Sequence, residues 1–233
     1  MSGTHGACAG PGSDGTAIMT TTAVDDVSEG ASAETDERDG AGRIGAGRAF
    51  AWMLVITGAA GLLAAWVITI DKIKLLEDPD FVPGCSLNPV VACGNIMKSD
   101  QAAFFGFPNP MLGLVTYGMV VAIGVALLAG ARFKRWYWLG LNAGTLFGVA
   151  FCTYLQYQSL YTIRSLCLWC CLAWVATIFM FCYVTVHNLK HRILPAPRAL
   201  RNGLVEFHWV VPVLWIGVIG ILILTNWWSF WTS

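Results

Sequence analysis

Five apolar runs, set apart by polar stretches, lay out the chain: about Ala49–Ile70, Met111–Gly130, Trp136–Tyr157, Cys167–Val186 and Trp209–Trp228. Each is close to the roughly 20 residues a helix needs to cross about 30 Å of hydrocarbon. The pattern predicts an all-α integral membrane protein. Trp136, Tyr137 and Trp138 on one run, and Trp227, Trp228 and Trp231 on another, are placed as interfacial anchors. Gly113, Gly118, Gly140, Ala143, Gly144 and Gly148 are small enough to let helices approach closely. Within the 71–110 connection, Asn88-Pro89 reads as a helix start, and Phe104, Phe105 and Phe107 as a segment lying on the membrane surface.

Residues 1–47 break the pattern. They are rich in Gly, Ala, Ser, Thr and Asp and hold eight of the fourteen acidic residues, so they read as a disordered acidic tail carrying an idle Cys8. They lack the basic start and apolar stretch of a signal peptide. Composition agrees with the membrane assignment: 56% hydrophobic, 12% charged and a mean hydropathy of +0.62. The charges also predict an orientation. With the N-terminus cytoplasmic, ten Lys and Arg residues fall inside and four (Lys72, Lys74, Lys98 and Arg164) outside. Both the 71–110 connection and the 158–166 turn then face the outer compartment.

Eight cysteines carry the candidate chemistry. Cys152 and Cys182 fall inside runs and read as small apolar fillers. Cys167-Leu-Trp-Cys170 opens the fourth run. There the helix N-terminus favours a thiolate on the first Cys, and the i, i+3 spacing puts the second sulfur on the same face. Cys171 also shares a face with Cys167; the reading chosen here pairs Cys167 with Cys170. Cys85 and Cys93, seven residues apart, face the same predicted side. They could form a structural disulfide, exchange with the second pair, or join it in a zinc site. No histidine lies on that side.

The order of these features, a C-x7-C in an outer loop, then Gly106-Phe107-Pro108-Asn109-Pro110 entering a span, then C-x-x-C opening a later one, resembles the vitamin K epoxide reductase family. Within it the pattern is similar to the bacterial members that serve disulfide-bond formation. DsbB-type enzymes place the two cysteine pairs in the opposite order. The resemblance implies a four-helix catalytic core over 48–190 (outer loop 71–110), followed by a linker and fifth transmembrane helix over 191–233. It implies a bacterial inner membrane location and catalytic Cys85, Cys93, Cys167 and Cys170. Electrons would come from a periplasmic thioredoxin-fold, DsbA-like partner and pass through the two pairs in turn. The acceptor would be a membrane quinone, menaquinone or another naphthoquinone, with ubiquinone an alternative. The resemblance places Asn109 and Cys170 against the quinone, with Ser99 steadying the loop; Trp174 at the family's Tyr position is a further expected contact, and Phe107 or Tyr154 could flank the ring. Trp174 stands where vertebrate members carry a Tyr, which argues against epoxide reduction. No metal or nucleic acid is expected. The alternating pairings of Cys93 call for a mobile loop. The rival reading is a non-catalytic transporter or scaffold with a structural outer disulfide; the scarcity of ionisable residues in the spans argues against transport.

Overall fold

The structure, a computed structural model, describes residues 42–228; most of the predicted tail, Cys8 and Trp231 lie outside the described residues. Helix α1 (Arg48–Glu77) runs two turns beyond the end of its apolar run. Charges end the hydrophobic stretch at Ile70, but Asp71 to Glu77 contain neither Gly nor Pro, so nothing ends the helix until Pro79 approaches. The connection then forms a short helix α2 (Cys93–Lys98) and a 3-10 turn, Asp100–Ala103. Next come α3 (Asn109–Leu128) and α4 (Arg135–Tyr157), which widens into a π-helical turn at Gln158–Ile163. Helix α5 (Leu168–Lys190) follows, then the short α6 (Arg198–Glu206) and α7 (Val210–Asn226).

Helices α1, α3, α4 with its π-turn, and α5 are each long and apolar enough to cross a membrane. Helices α6 and α7 meet at a 71° bend and supply a fifth crossing only if taken together. This is an all-α, multi-pass architecture. Helix α1 packs on α3 and α5, α4 packs on α5, and α7 leans on α5. Helices α3 and α4 barely meet, which leaves a gap between them.

Packing at the glycines explains part of this arrangement. Gly58 and Gly124 let α1 and α3 touch: a Cβ on Gly124 would lie 2.7 Å from Val55 Cγ2 and 3.2 Å from the Ala51 carbonyl. Gly113 and Gly148 also face neighbours closely, whereas Gly118, Gly140 and Gly144 have none within reach. The expectation of close approach thus fails at those three, and Gly140 and Gly144 border the gap instead.

The end of the bundle opposite the cysteines is tied by backbone. Ile44, within the stretch assigned to the tail, is buried and exchanges hydrogen bonds of 2.8 and 3.0 Å with Phe133. Trp138 is fully buried rather than an interfacial anchor; its indole N–H donates to the Ile44 carbonyl at 3.2 Å. Trp136 keeps the predicted exposed position. Asn88-Pro89 does not start a helix. The Asn88 side chain accepts from the backbone N–H groups of Val90 and Val91 at 3.0 and 2.7 Å. Val91 is then captured in a bridge with Leu166, which delays the helix to Cys93.

Candidate redox site

The sequence around Cys93 and Cys167 forces two distant segments together. Leu166 N–H donates to the Val90 carbonyl at 2.8 Å and Ala92 N–H to the Leu166 carbonyl at 3.1 Å. One residue beyond each end of this bridge stand Cys93 and Cys167. Asn95 Nδ2 donates to Ser165 Oγ at 3.1 Å, and Ser159 Oγ to the Ser165 carbonyl, tying α2 to the turn that precedes α5. From α1, Lys72 Nζ donates to the Met97 carbonyl, and Lys98 Nζ reaches the Pro79 carbonyl at 2.9 Å. The loop is therefore fixed over the end of the bundle by polar tethers as well as by apolar contact.

Cys85 and Cys93 form a disulfide with Cα atoms 5.8 Å apart. The sulfurs of Cys85, Cys93 and Cys167 all lie within 4.8 Å of one another. A change of partner at Cys93 is thus a side-chain-scale movement, not the loop swing expected from sequence. The cluster could present thiolates to a metal only after the disulfide is reduced. Cys85 keeps 6% of its surface and Cys93 none, with the exposed Val82 and Leu87 close by in sequence.

Cys167 caps α5: its sulfur accepts from the backbone N–H of Cys170 at 3.3 Å. Its thiol is held below the ordinary range, first by the Cys170 thiol and then by the backbone N–H groups of Cys170 and Trp169, against the opposing effect of burial. Cys167 and Cys170 are both unbridged here, beside the oxidised Cys85–Cys93 pair. Cys171 turns away into an apolar cluster with Val90, Val91, Leu160 and Leu166.

Beneath the sulfurs a cavity of about 460 Å³ follows the gap between α3 and α4, and its lining is largely apolar. Cys167, Cys170, Asn109, Ser99 and Trp174 all border it. Asn109 is nine-tenths buried; its Oδ1 accepts from Phe104 N–H at 3.0 Å and its Nδ2 donates to the Gln101 carbonyl at 2.6 Å. Ser99 Oγ donates to the Ile96 carbonyl at 2.7 Å, closing the end of α2. Phe107 and Tyr154 are not on the cavity wall. Phe107 stacks on Phe105, and Phe104 and Phe105 pack on Phe151 and Tyr154, so these rings join the loop to α4 above the gap.

Three lining residues carry a signal that sequence reading missed. The Tyr117 hydroxyl lies 2.7 Å from Thr177 Oγ1, Thr177 donates to the Ala173 carbonyl at 2.7 Å, and the Cys152 thiol lies 3.7 Å from Thr177 Oγ1. Cys152 is thus part of a polar group on the wall, not mere filling. Cys182 sits in an apolar cluster, as a filler would. The spacing of Asn109 and Tyr117, eight residues on one helix and so on one face, was the available clue.

Comparison with known families bears on what this arrangement is. The sequence model of the vitamin K epoxide reductase family matches residues 52–185, more than half of the chain. The chain belongs to the vitamin K epoxide reductase family. Membership makes it a membrane oxidoreductase acting on thiols and disulfides, in a family linked to quinones and to thioredoxin-like redox partners. The family match begins within α1 and ends within α5, so it spans the four tightly associated helices and all four cysteines of the two pairs. Helices α6 and α7 lie beyond it. The cavity suits the family's quinone by its size, its apolar lining and its position against Cys170.

Proposed function

We propose that this chain oxidises the dithiol of a thioredoxin-fold, DsbA-like protein on the outer side of a bacterial inner membrane and delivers the electrons to a membrane quinone. The observation that carries this reading is the convergence of Cys85, Cys93 and Cys167 within 4.8 Å directly above a cavity that Cys170 borders.

The steps need only thiol–disulfide exchange. A partner thiolate attacks Cys85, the more accessible sulfur, and Cys93 leaves as a thiolate. The second partner thiolate then attacks the mixed disulfide, so the partner departs oxidised and Cys85 is freed. Cys93 attacks Cys167 of an oxidised Cys167–Cys170 pair, and Cys170 leaves as a thiolate on the cavity wall. Cys85 closes on Cys93, expelling Cys167. The acidity of Cys167 makes it a good leaving group at that point. The product has Cys85–Cys93 oxidised and Cys167 and Cys170 reduced, the pairing found here. A bound quinone supplies the terminal acceptor for two electrons and two protons. Asn109, Trp174 and Cys170 would hold it, with Asn109 contributing the amide hydrogen not used on Gln101. Orientation follows the asymmetry in basic residues, with the cysteines outside and the N-terminus cytoplasmic.

The test is reconstitution of the full chain with a reduced thioredoxin-like protein while quinone absorbance is followed. Cys93→Ala and Cys167→Ala should abolish partner oxidation, and Cys170→Ala should accumulate a Cys93–Cys167 disulfide. Normal rates in these variants would overturn the relay.

A further inference from the structure

At the end of the bundle away from the cysteines, a second pocket of about 330 Å³ opens between the last turn of α5 and α6, lined by Lys190, Arg192, Arg201, Asn202, Val205 and Glu206. We propose that it binds the phosphate head group of an anionic phospholipid.

Three cations converge there against a single carboxylate, and none of the four charged groups is in an ion pair among the described residues. Gathering unpaired like charges is unfavourable unless an anion joins them. Arg192 adds a second, independent observation. Its φ of +54° is a left-handed conformation that favours glycine, at the turn where α5 ends. The position is strained for any side chain, yet the one present delivers a guanidinium to the pocket.

Depth identifies the anion. Helix α7 is apolar throughout, and α6 turns from it by 71°, so when α7 lies across a bilayer α6 lies near its plane. Leu200, Phe207 and Trp209 are exposed along and just after α6, as suits the boundary between head groups and acyl chains. A basic pocket at that level meets lipid phosphate, with Asn202 able to donate to the same oxygens.

The full chain, purified in detergent, is titrated with phosphatidylglycerol, phosphatidylcholine and inorganic phosphate; bound lipid is read by native mass spectrometry and stability by thermal unfolding. Selective retention of phosphatidylglycerol is expected, weakened about tenfold or more in Arg192→Gly/Arg201→Gln. Arg192→Gly alone should unfold no earlier than the parent in phosphatidylcholine, because glycine suits the left-handed turn. Lys134→Gln/Arg198→Gln removes equal charge outside the pocket and should keep the selectivity. A photoactivatable phosphatidylglycerol on the unmutated chain should label residues 190–206, a readout that does not depend on any variant folding. Equal retention by both double variants, labelling elsewhere, or displacement of the lipid by inorganic phosphate at similar concentration (an adventitious ion only) would each overturn the proposal.

Discussion

In the proposed relay Cys167 is electrophilic toward Cys93 in one redox state and a stable thiolate in the next, and its surroundings serve the second need. The hydrogen bonds that favour its thiolate come first from the Cys170 thiol and then from backbone. Thiolate is present above the folded-state value and lost as pH falls through it, so loss of reactivity should begin below the ordinary thiol range. Removing the Cys170 thiol moves that point upward. Alkylation of reduced Cys167 followed against pH should therefore shift to more alkaline pH in Cys170→Ala, while Cys171→Ala leaves it in place. Tyr117 is the second residue with a definite expectation. The Ser99, Thr116, Thr145, Ser159 and Thr177 hydroxyls around the cavity each give their proton to a nearby carbonyl. With the Thr177 proton on the Ala173 carbonyl, the Tyr117 hydroxyl is left to donate to Thr177 Oγ1 at 2.7 Å or to the more distant Ala173 carbonyl at 3.4 Å, and it can turn its proton toward a bound carbonyl without moving the ring. Tyr117→Phe should raise KM for quinone about tenfold, the worth of one hydrogen bond in a largely apolar site, while single-turnover oxidation of the protein partner stays unchanged. The cysteine pairs were legible in sequence because residue type and spacing encode their chemistry. Tyr117 and Thr177 were not, because their role depends on which faces of α3 and α5 meet. Phe107 and Tyr154 were misplaced for the same reason: an aromatic beside a site in sequence can turn its ring to another neighbour.

Gly124 on α3 and Gly144 on α4 play different parts, and this difference shapes the cavity. A Cβ added to Gly124 on α3 would lie 3.1 Å from Val55 N and 3.2 Å from the Ala51 carbonyl, backbone that cannot step aside. Gly144 on α4 borders the cavity with nothing near its Cβ position. Gly124→Ala should destabilise the bundle by about 1–3 kcal/mol through overpacking. Gly144→Leu should leave the unfolding temperature close to that of the parent and instead narrow the gap, selectively slowing turnover of quinones with long tails. Thermal unfolding in detergent and quinone reduction with short- and long-tailed substrates separate the two effects. Hydropathy alone located each helix to within a few residues on most sides, since the apolar run must match the bilayer. It missed the last turns of α1, where charged residues continue a helix outside hydrocarbon. It also missed the Asn88 turn, where a long-range bridge to Leu166 overrode a local helix-start signal.

Helix α7 lies outside the family match yet reaches the site from behind. Ile219 packs with Val149, Ile178 and Cys182, and farther along Ile223 and Trp227 pack on a cluster of Leu160 with Val90, Val91 and Leu166, the last three belonging to the bridge that sets Cys93 beside Cys167. The added helix therefore props the cysteine-bearing end of the bundle and brings no cysteine to it. Nothing in local sequence foretold this, because an apolar helix can lean on any face of a bundle and only the assembled molecule shows which. If the prop matters, shortening it should loosen the loop while leaving the cavity intact. Ile223→Ala/Trp227→Ala removes two partly buried side chains and should cost about 2–5 kcal/mol, less whatever surface they already expose. In a Cys85→Ala/Cys170→Ala background, oxidative formation of the Cys93–Cys167 bond should then slow, because Cys93 samples more positions away from Cys167. KM for quinone should remain within about twofold of the parent, since neither side chain borders the cavity. A raised KM with an unchanged cross-linking rate would instead mean that α7 acts on the quinone site, and that the bridge holds without it.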